Sequence, residues 1–354
     1  MIYFYVYPSA FQNPGGGEIL LLKTKEYLER LGIEIKLFNQ WEHRFQSGDL
    51  LHVFGSVKEA LGLMAIAKSK GVTIVHTPVI WYNWQSSLLI PYDFGERILC
   101  AARQTAKTFF PIIASSRKKM MHLADVVLAS SKAEGDQISK YFLVPKHKIR
   151  VAVCGTDESY ESMDPTFFIR KFGLKNFVLV VGRIEPRKNQ LSLIRAMNRV
   201  EKLLVVIGET VSNYQNYYNQ CRREAGNNVF FIGNLLMNSN ELRSAYSACE
   251  IFALPTWFET PGIAALEAGL SGAKIVITRE GATREYFKDF VEYVNPSSVS
   301  DIRSKILTAI ARSKSDDLKN FIKQNYLWQN TAEQTLEAYR SVGLSLPEGQ
   351  VVLS

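Results

Sequence analysis

The sequence predicts an α/β protein with two parallel-sheet domains, on three observations. Short apolar runs alternate with stretches of helical periodicity, the pattern of parallel sheets flanked by helices. The chain has 354 residues, enough for two ordinary domains with substantial cores. Its composition, 47% hydrophobic and 21% charged, is that of a soluble globular protein.

In order, the N-terminal half places strands at residues 2–7, 33–38, 50–53, 72–76, 125–129 and 149–153. After the first strand come Asn13-Pro14-Gly15-Gly16-Gly17 and a helix from about Glu18 to Leu31, stopped by Gly32. The C-terminal half places strands at 177–182, 203–207, 229–232, 250–254, 274–277 and 292–294. A late helical stretch, 316–342, carries Leu318, Phe321, Ile322, Leu327, Trp328, Leu336 and Tyr339. The expected domains are 1–155 and 156–325, with 326–354 a closing helix and tail.

The run Thr256-Trp257-Phe258-Glu259-Thr260-Pro261-Gly262-Ile263-Ala264-Ala265-Leu266-Glu267 sets two carboxylates eight positions apart across the start of a helix. Thr260 suits the N-cap and Pro261 the first turn, with Ile263, Leu266 and Leu270 as the apolar stripe. Glu259 then lies on the loop before the helix and Glu267 on its second turn. The amides of Gly262, Ile263 and Ala264 point out of the helix N-terminus, where a diphosphate binds well. A carboxylate on each side of a phosphate cradle suits a ligand whose hydroxyls flank a diphosphate, which describes a nucleotide sugar.

Upstream, Val178-Leu179-Val180-Val181-Gly182-Arg183 leads to Lys188, and Leu203–Gly208 and Val229–Gly233 each close an apolar run on a glycine. In this order the motifs resemble the C-terminal half of the family 4 glycosyltransferases, over about half the chain. The resemblance implies retaining enzymes of the GT-B fold: two Rossmann-like domains with parallel sheets facing across a cleft, and a C-terminal helix crossing back to the N-terminal domain. It implies that Arg183 and Lys188 contact the donor diphosphate, with Gly208, Gly233, Gly262, Ile263 and Ala264 around the donor. Glu259 would hold sugar hydroxyls and Glu267 the ribose hydroxyls. His76, at the end of Val72–His76, would face the donor sugar. Two departures stand out: Thr260-Pro261 replaces the commoner Gly-Phe or Ser-Phe, and Gly155-Thr156-Asp157 lacks the usual Asn.

The glycine loop fails the dinucleotide fingerprint, because Leu20 holds the third glycine position and the second strand ends without an acidic residue. The family resemblance implies instead a glycine-rich loop here whose backbone amides approach donor phosphate or acceptor, with Gly16 and Gly17 the candidates, a tight turn being the other reading. Glu18 is placed to contact acceptor or to serve as a first-turn carboxylate. No cofactor and no metal site are expected: the aspartate-rich run of a divalent-ion site is absent, and Cys100, Cys154, Cys221 and Cys249 are scattered. They read as reduced thiols of a cytoplasmic protein. The start, Met1–Pro8, lacks a basic leader, and no stretch approaches the roughly 20 apolar residues of a membrane span.

The net charge of +8 is uneven. Residues 1–155 carry 19 basic against 12 acidic residues, and 97–150 carry 11 against 3. That points to an anionic partner, a membrane surface or a phosphorylated acceptor, with nucleic acid disfavoured for want of a recognisable module. Arg117, Lys118 and Lys119 are the candidates. Segment 79–124 interleaves them with Arg97, Arg103, Lys107, Trp81, Tyr82, Trp84, Leu88, Leu89, Ile90, Phe94, Phe109 and Phe110, which suits attachment to the inner face of an anionic bilayer. The expected activity is transfer of a sugar from a nucleotide-diphosphate donor to a glycan or lipid-linked acceptor in bacterial surface polysaccharide or glycolipid synthesis. A GT-B nucleotide-sugar epimerase and a non-catalytic nucleotide-sugar- or membrane-binding subunit are the alternatives.

Overall fold

The computed structural model describes residues 1–12, 15–83, 90, 95, 98–99, 102, 115–210, 212–236 and 239–344. They divide into two units. The first takes Met1–Tyr82, Thr105–Gly155 and Tyr326–Ser354; the second takes Asn83–Gln104 and Thr156–Asn325.

The first unit holds β1 (Ile2–Tyr5), α1 (Gly16–Arg30), β2 (Ile35–Leu37), β3 (Leu50–Phe54), α2 (Ala60–Ser69), β4 (Thr73–Thr77), α3 (Ser116–Leu123), β5 (Val126–Ala129), α4 (Lys132–Phe142) and β6 (Ile149–Val151). Its sheet has the order β2-β1-β3-β4-β5-β6, and every pairing is parallel. Leu50–Phe54 and Val126–Ala129 are buried throughout, as expected of strands covered on both faces. Leu51, Val53, Ile74, Val127, Met64 and Met120 form the centre of one core.

The second unit holds α5 (Thr166–Phe172), β7 (Val178–Val181), α6 (Gln190–Met197), β8 (Leu204–Ile207), α7 (Gln215–Glu224), β9 (Val229–Gly233), α8 (Asn240–Ala248), β10 (Ile251–Leu254), α9 (Ile263–Leu270), β11 (Lys274–Thr278), α10 (Thr283–Phe287), β12 (Glu292–Val294), α11 (Val299–Ala311) and α12 (Asp317–Asn325). Its sheet order is β12-β11-β10-β7-β8-β9, again all parallel. The order turns outward from β7 and β10, and such a reversal is where α/β sheets bind ligands, at the carboxyl ends of the strands.

Each expected strand is present, with its ends within two residues of those expected. Two helix readings change. α1 begins at Gly16, because the Glu18 carboxylate accepts the Gly15 amide at 2.7 Å and so fixes Gly15 as the residue before the helix. Gly16 and Gly17 therefore belong to the first turn and not to a loop. α9 begins at Ile263, not at Thr260. The Glu259 amide donates to Glu280 O and the Ala282 amide to Glu259 O, an isolated parallel bridge that holds Glu259 outside the helix; Thr260 and Pro261 follow as bends and left-handed Gly262 caps the helix. The late stretch 316–342 is two helices. α12 packs on α9 in the second unit, while α13 (Trp328–Arg340) packs on α1 in the first. There Tyr339 meets His52 at 2.6 Å and Gln334 accepts the Val153 amide at 2.8 Å.

Candidate active site

In the second unit the site grows from the turns after β7, β8 and β10. Gly208 sits where the β8 turn presses on the β7 turn: a Cβ built there would lie 2.0 Å from the Gly182 carbonyl oxygen, and its φ is +147°. Only glycine permits this approach. Beyond Gly182, residues 186–188 form one tight turn, ended by Asn189 in the left-handed conformation. The Asn189 side chain donates to Pro255 O and Pro296 O, both at 2.9 Å, and the Trp257 amide donates to Arg187 O. These bonds bring Lys188 against the first carboxylate of the motif.

Lys188 Nζ donates to Glu259 Oε1 at 2.7 Å, and Arg187 Nη1 stands 3.9 Å from the same oxygen. Burial alone would raise the Glu259 carboxyl, but Lys188 and Arg187 outweigh it and hold it below the usual range. Burial pulls Lys188 down, with Glu259 opposing it. Removing one partner of such a buried pair costs about 3–5 kcal/mol, because the other charge is left without compensation. Arg187 also donates from Nε to Glu185 Oε1 at 3.2 Å. Arg183 is more open, its Nε 3.8 Å from Glu185.

Gly262 caps α9 from a left-handed conformation, and the amides of Gly262, Ile263 and Ala264 open the helix. Glu267, one turn in, is buried and accepts a hydrogen bond from Tyr246 at 2.8 Å, with Tyr160 as a second donor. Burial pushes its carboxyl up to about 7, against the pull of both phenols. Gly233 ends β9 with open space where its Cβ would be, and its carbonyl accepts the Gly208 amide. The unit thus joins Lys188, Glu259 and a helix N-terminus through short local contacts, an arrangement that can hold an anion beside a hydroxylated group.

In the first unit a cavity of about 170 Å³ opens at the carboxyl ends of β1, β3 and β4, lined among others by Tyr7, Gly17, Glu18, Ser56, Val79 and Arg117. Glu18 takes the role of a first-turn carboxylate. It caps α1 and faces the cavity, with Tyr7 donating to its other oxygen at 3.1 Å. Val79 lies in the left-handed region (φ +49°), a costly state for a β-branched residue. The flanking chain is held by Glu134, which accepts the Ile80 amide at 2.7 Å, and by Gln137, which bonds the Tyr82 amide and carbonyl.

His76 is fully buried. Its Nε2 donates to Gly55 O at 3.0 Å, its Nδ1 has no partner among the described residues, and burial lowers it to about 4. It is neutral at ordinary pH and is not a lining residue of this cavity. On α3, Arg117 and Lys119 are exposed and Lys118 is half-buried; Arg117 also donates to the Tyr82 hydroxyl at 3.1 Å. Tyr82 packs on Tyr141 and Phe142, so this aromatic of the 79–124 segment belongs to the interior. Trp84, Leu88, Leu89, Phe94, Arg97, Cys100, Arg103, Lys107, Phe109 and Phe110 lie outside the described residues. Cys154, Cys221 and Cys249 are buried. Among the described residues no helix is long and apolar enough to cross a membrane.

Residues 166–328 match the family model described as Glycosyl transferases group 1. The D-inositol 3-phosphate glycosyltransferase of Corynebacterium urealyticum is 31% identical, over 95% of this chain and 93% of that protein. The chain spans only 59%, 50% and 58% of three other curated relatives. Among solved structures, sucrose-phosphate synthase from Thermosynechococcus elongatus superposes with a TM-score of 0.74 at 15% identity, covering 96% of this chain and 98% of that one. Anabaena HepE in complex with UDP and glucose gives a TM-score of 0.65 at 17% identity, covering 96% and 99%. These two share the fold.

Proposed function

The chain belongs to the glycosyl transferases group 1 family, and from that premise we propose that it is a retaining, metal-independent glycosyltransferase. It takes a sugar from a nucleotide-diphosphate donor and passes it to a glycan or lipid-linked acceptor in surface polysaccharide or glycolipid synthesis. The observation that carries the reading is the Lys188–Glu259 pair beside the α9 N-terminus. HepE, a protein of the same fold, is complexed with UDP and glucose.

Breaking the anomeric bond places negative charge on the departing diphosphate and positive charge on the sugar. Lys188, Arg183, Arg187 and the amides of Gly262–Ala264 are the groups that offset the first. Removing one such donor typically costs 10²–10³-fold in turnover. Glu259 holds sugar hydroxyls and Glu267 the ribose diol. The acceptor hydroxyl attacks on the face from which the diphosphate leaves; its proton passes to the leaving phosphate oxygen, so no protein nucleophile is required. His76 is a neutral imidazole whose Nδ1 is buried and without a partner among the described residues; a sugar hydroxyl that reached it would donate to it, since that nitrogen cannot donate. The cavity beside Glu18 and Arg117 serves the acceptor.

A thermal-shift screen with UDP-, GDP-, ADP- and dTDP-sugars tests this reading. Ligand binding to the native state raises the melting temperature by mass action, so one nucleotide series should give a clear shift. The shift and the turnover should survive EDTA. No shift with any series would sink the transferase reading, and turnover lost to EDTA and restored by manganese would sink its metal-free form.

A further inference from the structure

Glu267 does not stand alone. It is buried between α9, α8 and the segment before α5, and two phenols meet it there. Tyr246 of α8 donates to Oε2 at 2.8 Å, and Tyr160 hydrogen-bonds the same carboxyl group. The two rings pack edge to face at 5.7 Å, and the Tyr160 carbonyl accepts the Ser271 hydroxyl at 3.0 Å, which ties that segment to the end of α9. Arg243, one turn before Tyr246, places its guanidinium 5.6 Å from the Tyr160 ring centre and leaves its buried Nε without a partner among the described residues.

We propose that Tyr246 and Tyr160 are positioning residues for the nucleotide: they aim the Glu267 carboxylate so that its remaining lone pairs meet the vicinal diol of the ribose. The inference rests on the reading of Glu267 as the ribose contact. A carboxylate offers about four acceptor positions, so two phenols leave about two for a diol. Both phenols are buried and their acidity is suppressed, so they remain O–H donors at every working pH. The same contacts couple nucleotide binding to a proton. Burial favours the neutral acid; the two phenols and Arg243 favour the anion, and Asp157 opposes it. From α12, Lys319 and Lys323 are engaged with Glu161. Ribose hydroxyls bind the anion better than the acid, so binding should draw Glu267 into its ionised form.

The test uses the whole chain and the nucleoside diphosphate, among UDP, GDP and ADP, whose ribose carries the vicinal diol, that gives the largest thermal shift. Its affinity is measured by calorimetry from pH 5.5 to 8.5 for wild type, Glu267→Gln, Tyr246→Phe and Tyr160→Phe. The diphosphate titrates near the low end of that range, so the Glu267→Gln profile supplies the ligand's own contribution. Relative to it, wild-type affinity should rise with pH through an inflection near 7. Tyr246→Phe should weaken binding about tenfold or more at pH 7, the loss of one hydrogen bond to a charged group. It should also move the inflection upward, because a donor to the anion is gone, and Tyr160→Phe should move it the same way. Weaker binding with an unmoved inflection in both phenylalanine variants would mean a structural role only, and unchanged binding in both would overturn the proposal outright. Should Glu267→Gln bind as tightly as wild type at every pH, the ribose assignment itself fails, whatever the tyrosines do.

Discussion

Glu267 carries a measurable signature at the scale of one side chain. Its carboxyl is raised to about 7 by burial, above the ordinary glutamate value it has in the unfolded chain. A raised acid contributes stability that is present below the unfolded pKa and is lost as pH rises toward the folded value. Wild type should therefore lose stability between about pH 4.5 and 7 by about 3 kcal/mol through this group. Glu267→Gln should erase that loss, so denaturant unfolding should show the variant gaining on wild type as pH rises from 5 to 8. A constant difference across that range would contradict the burial account. The eight-residue spacing of Glu259 and Glu267 was legible because both lie on one continuous segment. Arg187, Tyr160, Tyr246 and Glu134 were not. Each reaches its partner from a distant element or through a turn, and nothing in its local pattern announces the contact.

At the scale of elements, the strands were legible because residues buried on both faces of a parallel sheet read as unbroken apolar runs. Helix starts were less so. Thr260 and Pro261 have the local preferences of a helix start, yet the bridge between Glu259 and the 280–282 turn overrides them. That bridge needs Gly281. Its φ is +106°, and a Cβ there would lie 2.0 Å from the Glu259 carbonyl oxygen. Gly281→Ala should destabilise the protein by about 2–4 kcal/mol and lower turnover by displacing Glu259. Gly272→Ala, also at positive φ but with open space at its Cβ, should cost about 1–2 kcal/mol at most and leave turnover intact. Equal melting temperatures and equal turnover in the two variants would remove the bridge from the account. The late stretch 316–342 holds two helices, one in each unit.

At the scale of the molecule, the charge asymmetry and the proposed donor site fall on different units. The basic excess lies in residues 1–155, where Arg117 and Lys119 are exposed on α3. Each basic residue near an anionic bilayer contributes about 1 kcal/mol. Co-sedimentation with phosphatidylglycerol vesicles at low salt, lost at high salt and on changing Arg117, Lys118 and Lys119 to Glu, is the expected result. Equal binding to neutral vesicles would contradict it. The proposed donor site lies in residues 182–267, where two carboxylates are proposed to divide the labour, Glu259 on the sugar and Glu267 on the ribose. Calorimetric titration of the bare nucleoside diphosphate into Glu259→Gln and Glu267→Ala tests this most directly. The account predicts that Glu267→Ala loses about 10–100-fold in affinity, one charged hydrogen bond or more. It predicts that Glu259→Gln, whose target is absent from the ligand, binds as tightly as wild type or tighter, since Lys188 is released toward the phosphate. Equal losses in both variants would contradict it.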